Sequence, residues 1–323
     1  MKKLNRFSIG LGLYLTAFLA MAGVASSQVK LRDALDFDGD DRADYAVSRV
    51  DNNTWYVLKS ADNSLGATTF GINDYDTIVP GDYDGDGKGD IAVWRYSDRV
   101  WYRINSSDNT FSADQFGLIG DEPVQRDYDG DGKTDLAVVR RSGSAMIWYV
   151  LQSSNGGFTA YQFGLNTDFP APGDYDGDGS FDFAVMRAGA DSSSQSYFYV
   201  RRSSDNTFSI TPWGVGGDFA VPGDYDGDGK TDVAVYRRSS DTSGGLTWYI
   251  LRSSDASLAA YTFGITETDT AVQNDYDGDG RTDLGVWRET DGTFYVLRSG
   301  DGGLSAVNWG LISDLPIASY DTH

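Results

Sequence analysis

The chain has 323 residues, 48 acidic against 26 basic, a net charge of −22, no cysteine and a single histidine, His323. That inventory excludes disulfides, thiol catalysis and a lipid-bearing N-terminal cysteine. It also argues against a Ser-His-acid triad or a histidine metal site, and against phosphate-rich nucleic acid as a partner for so acidic a surface.

Residues 1–26 read as a signal peptide. Lys2, Lys3 and Arg6 precede an apolar run from Phe7 to Val24, and the small residues of Ala20-Met21-Ala22 or Val24-Ala25-Ser26 suit a signal peptidase. The chain is therefore expected to be exported: secreted, at the cell surface or periplasmic. An uncleaved anchor is the alternative, since nothing later is apolar enough to span a bilayer.

From residue 27 onward one short pattern recurs, clearest in GDYDGDGKGD at 81–90. With Asp82 as position 1, carboxylates stand at positions 1, 3, 5 and 9. Gly87 at position 6 is where a loop doubling back needs φ > 0. Lys88 at position 7 can offer only its backbone carbonyl. Hard oxygen donors at these offsets suit Ca²⁺ and match the first nine positions of an EF-hand loop, although Val93 stands where that loop carries its bidentate glutamate. Asp-Gly runs also form plain turns, but a turn needs no further aspartate three residues after its glycine.

Six such loops occur, starting 46, 45, 47, 50 and 51 residues apart. The expected ligands of the first are Asp36, Asp38, Asp40 and Asp44 with the Arg42 carbonyl. Those of the second are Asp82, Asp84, Asp86 and Asp90 with Lys88, and of the third Asp127, Asp129, Asp131 and Asp135 with Lys133. The fourth has Asp174, Asp176, Asp178 and Asp182 with Ser180, and the fifth Asp224, Asp226, Asp228 and Asp232 with Lys230. The sixth has Asp275, Asp277, Asp279 and Asp283 with Arg281. About six structural Ca²⁺ ions are expected. The first loop is irregular, with Asp41 in the glycine position; aspartate tolerates the left-handed region, so a weaker site is expected there. The expected ligand positions hold 24 of the 48 acidic residues, so half the acidity is local ligand chemistry. The acid-rich surface of a salt-adapted protein is the competing explanation.

Each loop is followed by a short apolar strand such as LAVVR (136–140) and an aromatic one such as IWYVLQS (147–153). A third strand ends in FG or WG, and a fourth such as FPAPGD (169–174) leads into the next loop. Four β-branched and aromatic strands about every 48 residues, with no long apolar 3.6 period, indicate an all-β chain. A unit of that size predicts a β-propeller of four-stranded blades, each with a calcium loop. Repeats fall at about 29–71, 75–117, 122–164, 168–214, 218–264 and 269–310, in one domain spanning 27–323 that is expected to act as a monomer. A linear array of calcium modules and a calcium β-roll fit the loop spacing and glycine pattern less well.

The FG or WG pairs at 70–71, 116–117, 163–164, 213–214, 263–264 and 309–310, with strands such as TIVPGDYDGDGKGDIAVWR (77–95), resemble the FG-GAP repeat of integrin α-subunit propellers. The bacterial VCBS-type version is the most similar. The resemblance implies that the loop joins two adjacent strands of a blade and holds calcium through its aspartates and the position-7 carbonyl. Integrin propellers have seven blades; six full repeats are present here, so six are expected, with seven as the alternative.

Two segments compete for one place in such a ring. VKLRDAL (29–35) should form the first strand of the first blade, yet SDLPIASYDTH (313–323) is a second copy of it and should pair with or replace it. Asp76, Asp121, Asp168, Asp218 and Asp269 each stand six residues before a loop, where the first repeat has Lys30; Asp314 in the tail can supply that carboxylate.

Arg49, Arg95, Arg140, Arg187, Arg237 and Arg288 each follow a loop by five residues. They read either as a basic ring for an acidic polysaccharide or, preferably, as bidentate clamps on those aspartates. Trp55, Trp101, Trp148, Phe198, Trp248 and Phe294 read as packing between blades rather than sugar platforms. The less regular Trp94, Tyr96, Trp287 and Tyr236 stand out as site candidates. No residue set marks a catalytic centre. The reading is a calcium-stabilised module binding a glycan or protein at the cell surface, through the face opposite the acidic loops. The alternative is a calcium-dependent polysaccharide lyase.

Overall fold

Short runs of valine, isoleucine and aromatic residues between polar turns suit strands half or wholly buried in a sheet, and the described residues of the computed structural model hold 24 of them. It describes residues 34–72 and 75–318. The expected signal peptide, residues 29–33 of the competing first strand and the tail beyond Ala318 lie outside the described residues.

The strands make six antiparallel four-stranded sheets. From innermost to outermost, the first blade is β24 (Asp314–Pro316), β1 (Tyr45–Arg49), β2 (Thr54–Leu58) and β3 (Leu65–Thr69). The second is β4 (Asp76–Ile78), β5 (Ile91–Arg95), β6 (Val100–Ile104) and β7 (Phe111–Gln115). The third is β8 (Glu122–Pro123), β9 (Leu136–Ser142), β10 (Ala145–Leu151) and β11 (Phe158–Leu165). The fourth is β12 (Phe169–Pro170), β13 (Phe183–Arg187), β14 (Gln195–Arg201) and β15 (Phe208–Val215). The fifth is β16 (Phe219–Ala220), β17 (Val233–Arg237), β18 (Gly245–Leu251) and β19 (Leu258–Ile265). The sixth is β20 (Asp269–Ala271), β21 (Leu284–Arg288), β22 (Thr293–Leu297) and β23 (Leu304–Asn308). The ring therefore has six blades, not seven.

Ring closure resolves the competition between the termini. The innermost place in the first blade belongs to β24, which pairs with β1 through Val47↔Pro316, Ser48↔Leu315 and Arg49↔Asp314. The innermost strands are two or three residues long and carry Pro123, Pro170 and Pro316. Proline lacks a ladder donor and is tolerated there because these strands have one unpaired edge, facing the axis. Residues of β4, β8, β12, β20 and β24 line an axial cavity of about 340 Å³.

Second strands are covered on both faces by adjacent blades, and in β9 and β13 the first four residues are all buried. Third strands alternate, as in β10, and outermost strands alternate with every second residue in solvent. Burial lies mainly between blades. Trp148 of the third blade stacks on Phe183 of the fourth, with centroids 5.1 Å apart, in a cluster that also takes in Val124, Val150 and Val185.

Candidate metal centre

In five blades the acidic loop joins the innermost strand to the second, so the ladder of those strands holds both ends of the loop; in the first blade, whose innermost strand is β24, the loop leads into β1 and is closed by the Asp44 N–H on the Leu35 carbonyl at 2.8 Å. In the second blade an additional bridge, Gly81↔Asp90, closes the loop at its base, and four other blades have its equivalent. Position 6 takes the positive φ that its glycine predicts, +84° at Gly87 and +85° at Gly280, and Asp41 adopts +68° in the first loop.

The carboxylates are sorted by role. Asp82 Oδ1 accepts the Gly85 N–H at 2.6 Å and Oδ2 the Gly87 N–H at 2.8 Å, which folds the loop around position 1. Asp90 at position 9 is wholly buried; its Oδ2 accepts the Tyr83 N–H at 2.8 Å and its Oδ1 the Ser106 N–H at 2.6 Å. Asp86 at position 5 accepts the Lys88 N–H at 3.0 Å and the Ser106 hydroxyl at 2.9 Å. Asp84 at position 3 accepts the Ser107 hydroxyl at 2.6 Å.

In at least five loops three carboxylates offer oxygens within 4.8 Å of one another: Asp36, Asp38 and Asp40; Asp82, Asp84 and Asp86; Asp127, Asp129 and Asp131; Asp174, Asp176 and Asp182; Asp224, Asp226 and Asp232. At position 3 the Oδ1 atoms of Asp38, Asp129 and Asp176 are buried without a hydrogen-bond donor. A buried acceptor left unsatisfied is costly, and an all-oxygen donor set around it suits a hard cation. Burial pushes Asp44, Asp135, Asp182 and Asp232 up to about 7, and Asp82, Asp90, Asp127 and Asp283 up to about 6. With no positive charge among them, ionising these groups together is unfavourable.

The first loop departs in a second way. Arg42, whose carbonyl was expected as a ligand, turns its guanidinium onto Asp40 of the same loop. Partial burial pushes Asp40 up, but hydrogen bonds from Arg42 and Ser60 outweigh it and hold the carboxyl below its usual range. Arginine thus occupies Asp40 Oδ2, while Ser60 donates its hydroxyl to Oδ1 at 2.7 Å, as the equivalent serine does at Asp86.

That serine belongs to the site and is absent from the sequence reading. Ser60, Ser106, Ser153, Ser203, Ser253 and Ser299, in the turn between third and outermost strands, each donate their N–H to the position-9 aspartate at 2.6–2.7 Å. The signal was present: a serine at this spacing recurs once per repeat, as in NSSD (105–108) and RSSD (202–205).

The six arginines are clamps. Arg49–Asp314, Arg95–Asp76, Arg140–Asp121, Arg187–Asp168, Arg237–Asp218 and Arg288–Asp269 pair at 2.6–2.8 Å. Each pair joins the second strand to the start of the innermost strand of the same blade: Asp76, Asp269 and Asp314 open β4, β20 and β24, and Asp121, Asp168 and Asp218 stand one residue before β8, β12 and β16. The same aspartate also accepts the N–H of the residue after the FG or WG glycine, Leu165 for Asp168 at 2.8 Å, and so fixes the connection from the preceding blade. Each guanidinium lies over a tyrosine, Tyr56, Tyr102, Tyr149, Tyr199, Tyr249 or Tyr295, at 4.2–4.7 Å from the centroid. Asp314 supplies the carboxylate that the first repeat lacks.

The regular Trp and Phe positions are likewise core, as Trp101, Trp148, Trp248, Phe198 and Phe294 are fully buried. Among the irregular aromatics the expectation is corrected: Trp94, Tyr236 and Trp287 are buried between blades, and Tyr96 alone of the four is exposed, at 47%. They occupy second strands, whose two faces are both covered. On the face opposite the acidic loops, Ile72, Tyr75, Tyr96, Leu118, Ile119, Leu311 and Ile312 stand exposed.

Residues 127–185, from the third loop into the fourth blade, match the model of the FG-GAP-like repeat. An arginine-to-alanine triple mutant of AofleA from Arthrobotrys oligospora is similar over 82% of this chain and 84% of its own, at 9% identity and a TM-score of 0.50. A catalytically inactive virginiamycin B lyase from Staphylococcus aureus with quinupristin is similar over 88% and 90%, at 11% identity and a TM-score of 0.41. A 6-phosphogluconolactonase, so named provisionally, from Bacteroides uniformis is similar over 85% and 82%, at 14% identity and a TM-score of 0.44. No curated protein sequence matches. At such identities the structural likenesses speak to fold alone. With six four-stranded blades around one axis and an FG-GAP-like repeat recognised at residues 127–185, the chain is a six-bladed β-propeller that carries at least one repeat of the FG-GAP type.

Proposed function

We propose that the chain is an exported, monomeric binding module whose acidic loops hold structural Ca²⁺ and whose opposite face engages a glycan or protein at the cell surface. The observation that carries the calcium reading is the convergence of carboxylate oxygens within 4.8 Å, together with buried position-3 oxygens that lack a donor. Calcium accepts six to eight oxygens at flexible geometry, and its extracellular supply favours loops of this kind. When bound, it neutralises the carboxylates, while the chain's own contribution is to hold them: positions 1 and 9 through backbone N–H groups, position 5 through a serine hydroxyl, and position 3 through a serine hydroxyl in four loops and through the N–H of Ala61 or Gly300 in the first and sixth.

The binding reading rests on which side chains remain available. Arginines and aromatics repeated in every blade are engaged in clamps and interblade cores. The exposed apolar residues opposite the acidic loops are not repeated regularly: Leu118-Ile119 and Leu311-Ile312 in two connections are replaced by Val215-Gly216 and Ile265-Thr266 in two others. Large apolar side chains left exposed on one face suit an interaction surface.

Screening the calcium-loaded protein on a broad glycan array, with a parallel screen in EDTA, tests this reading. A calcium-dependent hit on one glycan class supports a lectin-like role, and capture of a single envelope protein supports the adhesive one. Unsaturated-uronate absorbance developing on an acidic polysaccharide contradicts both and points to a lyase.

A further inference from the structure

The acidic loops touch one another around the whole ring. The N–H at position 8 of each loop donates to the backbone carbonyl at position 1 of the preceding one. Gly89 donates to Asp36, Thr134 to Asp82, Phe181 to Asp127, Thr231 to Asp174, Thr282 to Asp224 and, across the closure, Ala43 to Asp275, all at 2.6–2.8 Å. Side chains repeat the contact. Lys133 at position 7 lies so close over Gly85, position 4 of the preceding loop, that a Cβ there would meet its Cε at 2.8 Å; Arg42 covers Gly278 in the same way across the closure.

These contacts join the two halves of neighbouring sites. Positions 1 to 5 carry three expected ligands of one loop. Positions 7 to 9 carry the other two of the next, and position 8 sits between them. A cation that orders the first half in one blade fixes the carbonyl and glycine on which the second half of the next blade rests. The converse holds by linkage, because coupling between two sites is reciprocal. The contacts form a closed cycle, so no site is terminal.

We propose, resting on the calcium reading above, that the six cation sites are energetically coupled around the ring, so that filling one loop raises the affinity of both adjacent loops. The coupling is expected to be worth about 5-fold or more in affinity per neighbour, the lower end of ordinary site-site coupling. The first loop, with Asp41 at position 6 and Arg42 on Asp40, depends most on its neighbours, since its own donor set is the least complete.

Two variants test this, each read by equilibrium dialysis of calcium with parallel titration against a chromophoric chelator. Thr134→Pro deletes the N–H that links the third loop to the second and leaves all carboxylates in place. Asp84→Asn removes a ligand from the second loop alone and covers the case in which the proline variant does not fold. At half-saturating calcium an independent site holds about half an ion, so coupling predicts that Asp84→Asn loses more than about half an ion per chain, with the added loss at the first and third loops. It also predicts that Thr134→Pro weakens binding although no ligand has changed. Loss of one site and no more in Asp84→Asn, with wild-type affinity in a folded Thr134→Pro, overturns the coupling and leaves the calcium reading standing. Absence of calcium uptake by the wild-type protein overturns the calcium reading, and the coupling with it.

Discussion

The acidic-loop face and the face opposite it are made by the same six repeats, yet they differ in what repetition has used up. On the acidic side nearly every polar group has an equivalent in each blade, and nearly all are engaged with one another: aspartate with backbone N–H, serine with aspartate, one loop with the next. On the other side the clamps lie just below the surface and the residues beyond them vary, with exposed Tyr75 and Tyr96 near one connection and serine-rich turns at 188–196 and 238–246 over others. Strict repetition is what a closed ring demands of its scaffold, so departures from it show which surface is free to vary.

If the acidic face is a scaffold completed by calcium, its largest signature is collective. A carboxyl whose folded pKa lies above the unfolded value, about 4, binds more protons folded than unfolded. Its favourable contribution is therefore present at low pH and lost as pH rises through the folded pKa. With Asp44, Asp135, Asp182 and Asp232 pushed up to about 7 and four others to about 6, the chelated protein should lose thermal stability as pH rises from roughly 4 to 7. Added calcium should flatten that slope. A melting temperature that rises across this window in chelator would count against the electrostatic account.

The clamps are next in size. Arg187→Ala leaves Asp168, wholly buried, with a backbone N–H but no counter-charge. Removing one partner of a buried pair typically costs about 3–5 kcal/mol, and urea denaturation should show a loss of that order. A loss below about 1 kcal/mol would place the pair among exposed ion pairs of little value.

A smaller effect, of opposite sign, is expected in the first loop. Asp41→Gly relieves a positive φ at some entropic cost, for a net gain of about 1 kcal/mol in calcium. The gain should shrink in chelator if the strained residue matters mainly by shaping a cation site; equal gains in both conditions would assign it to the backbone alone.

The smallest effect on stability sharpens the contrast between faces. Ile312 is 65% exposed, and Ile312→Ser should change stability by no more than about 0.5 kcal/mol. Binding to the partner found on the array should fall several-fold. Unchanged binding with changed stability would reverse the roles given to the two faces.

Much of this was legible in the sequence because propeller architecture writes itself six times. The loop aspartates, the left-handed position 6, the blade count and the substitution of Asp314 for the carboxylate missing beside Lys30 all follow from aligning the repeats. The arginine clamps were also foreseeable, although they tie two strands of one blade and reach the preceding blade only through the aspartate's second hydrogen bond. What stayed hidden had physical causes. Trp94, Tyr236 and Trp287 look accessible because a turn follows closely, but a second strand is covered on both faces and its residues stay buried up to its end. The serines beneath position 9 lie 16 to 21 residues from their partners, across two strands, so their role emerges only when the blade folds. The backbone bonds between loops involve position 8, occupied by Ala43, Gly89, Thr134, Phe181, Thr231 and Thr282, and leave no side-chain signature to read.

The most direct test is the melting temperature of the purified protein in calcium, in EDTA, and in EDTA followed by excess calcium, with magnesium as the control. A ligand present at 100 times its Kd stabilises by about 2.7 kcal/mol per site, and a domain of this size moves about 2–4 °C per kcal/mol. Several filled sites should therefore raise the melting temperature by well over about 10 °C. The expected result is a fall of that size in EDTA, restored by calcium and not by magnesium. The same melting temperature in all conditions would contradict the claim that calcium completes the acidic face.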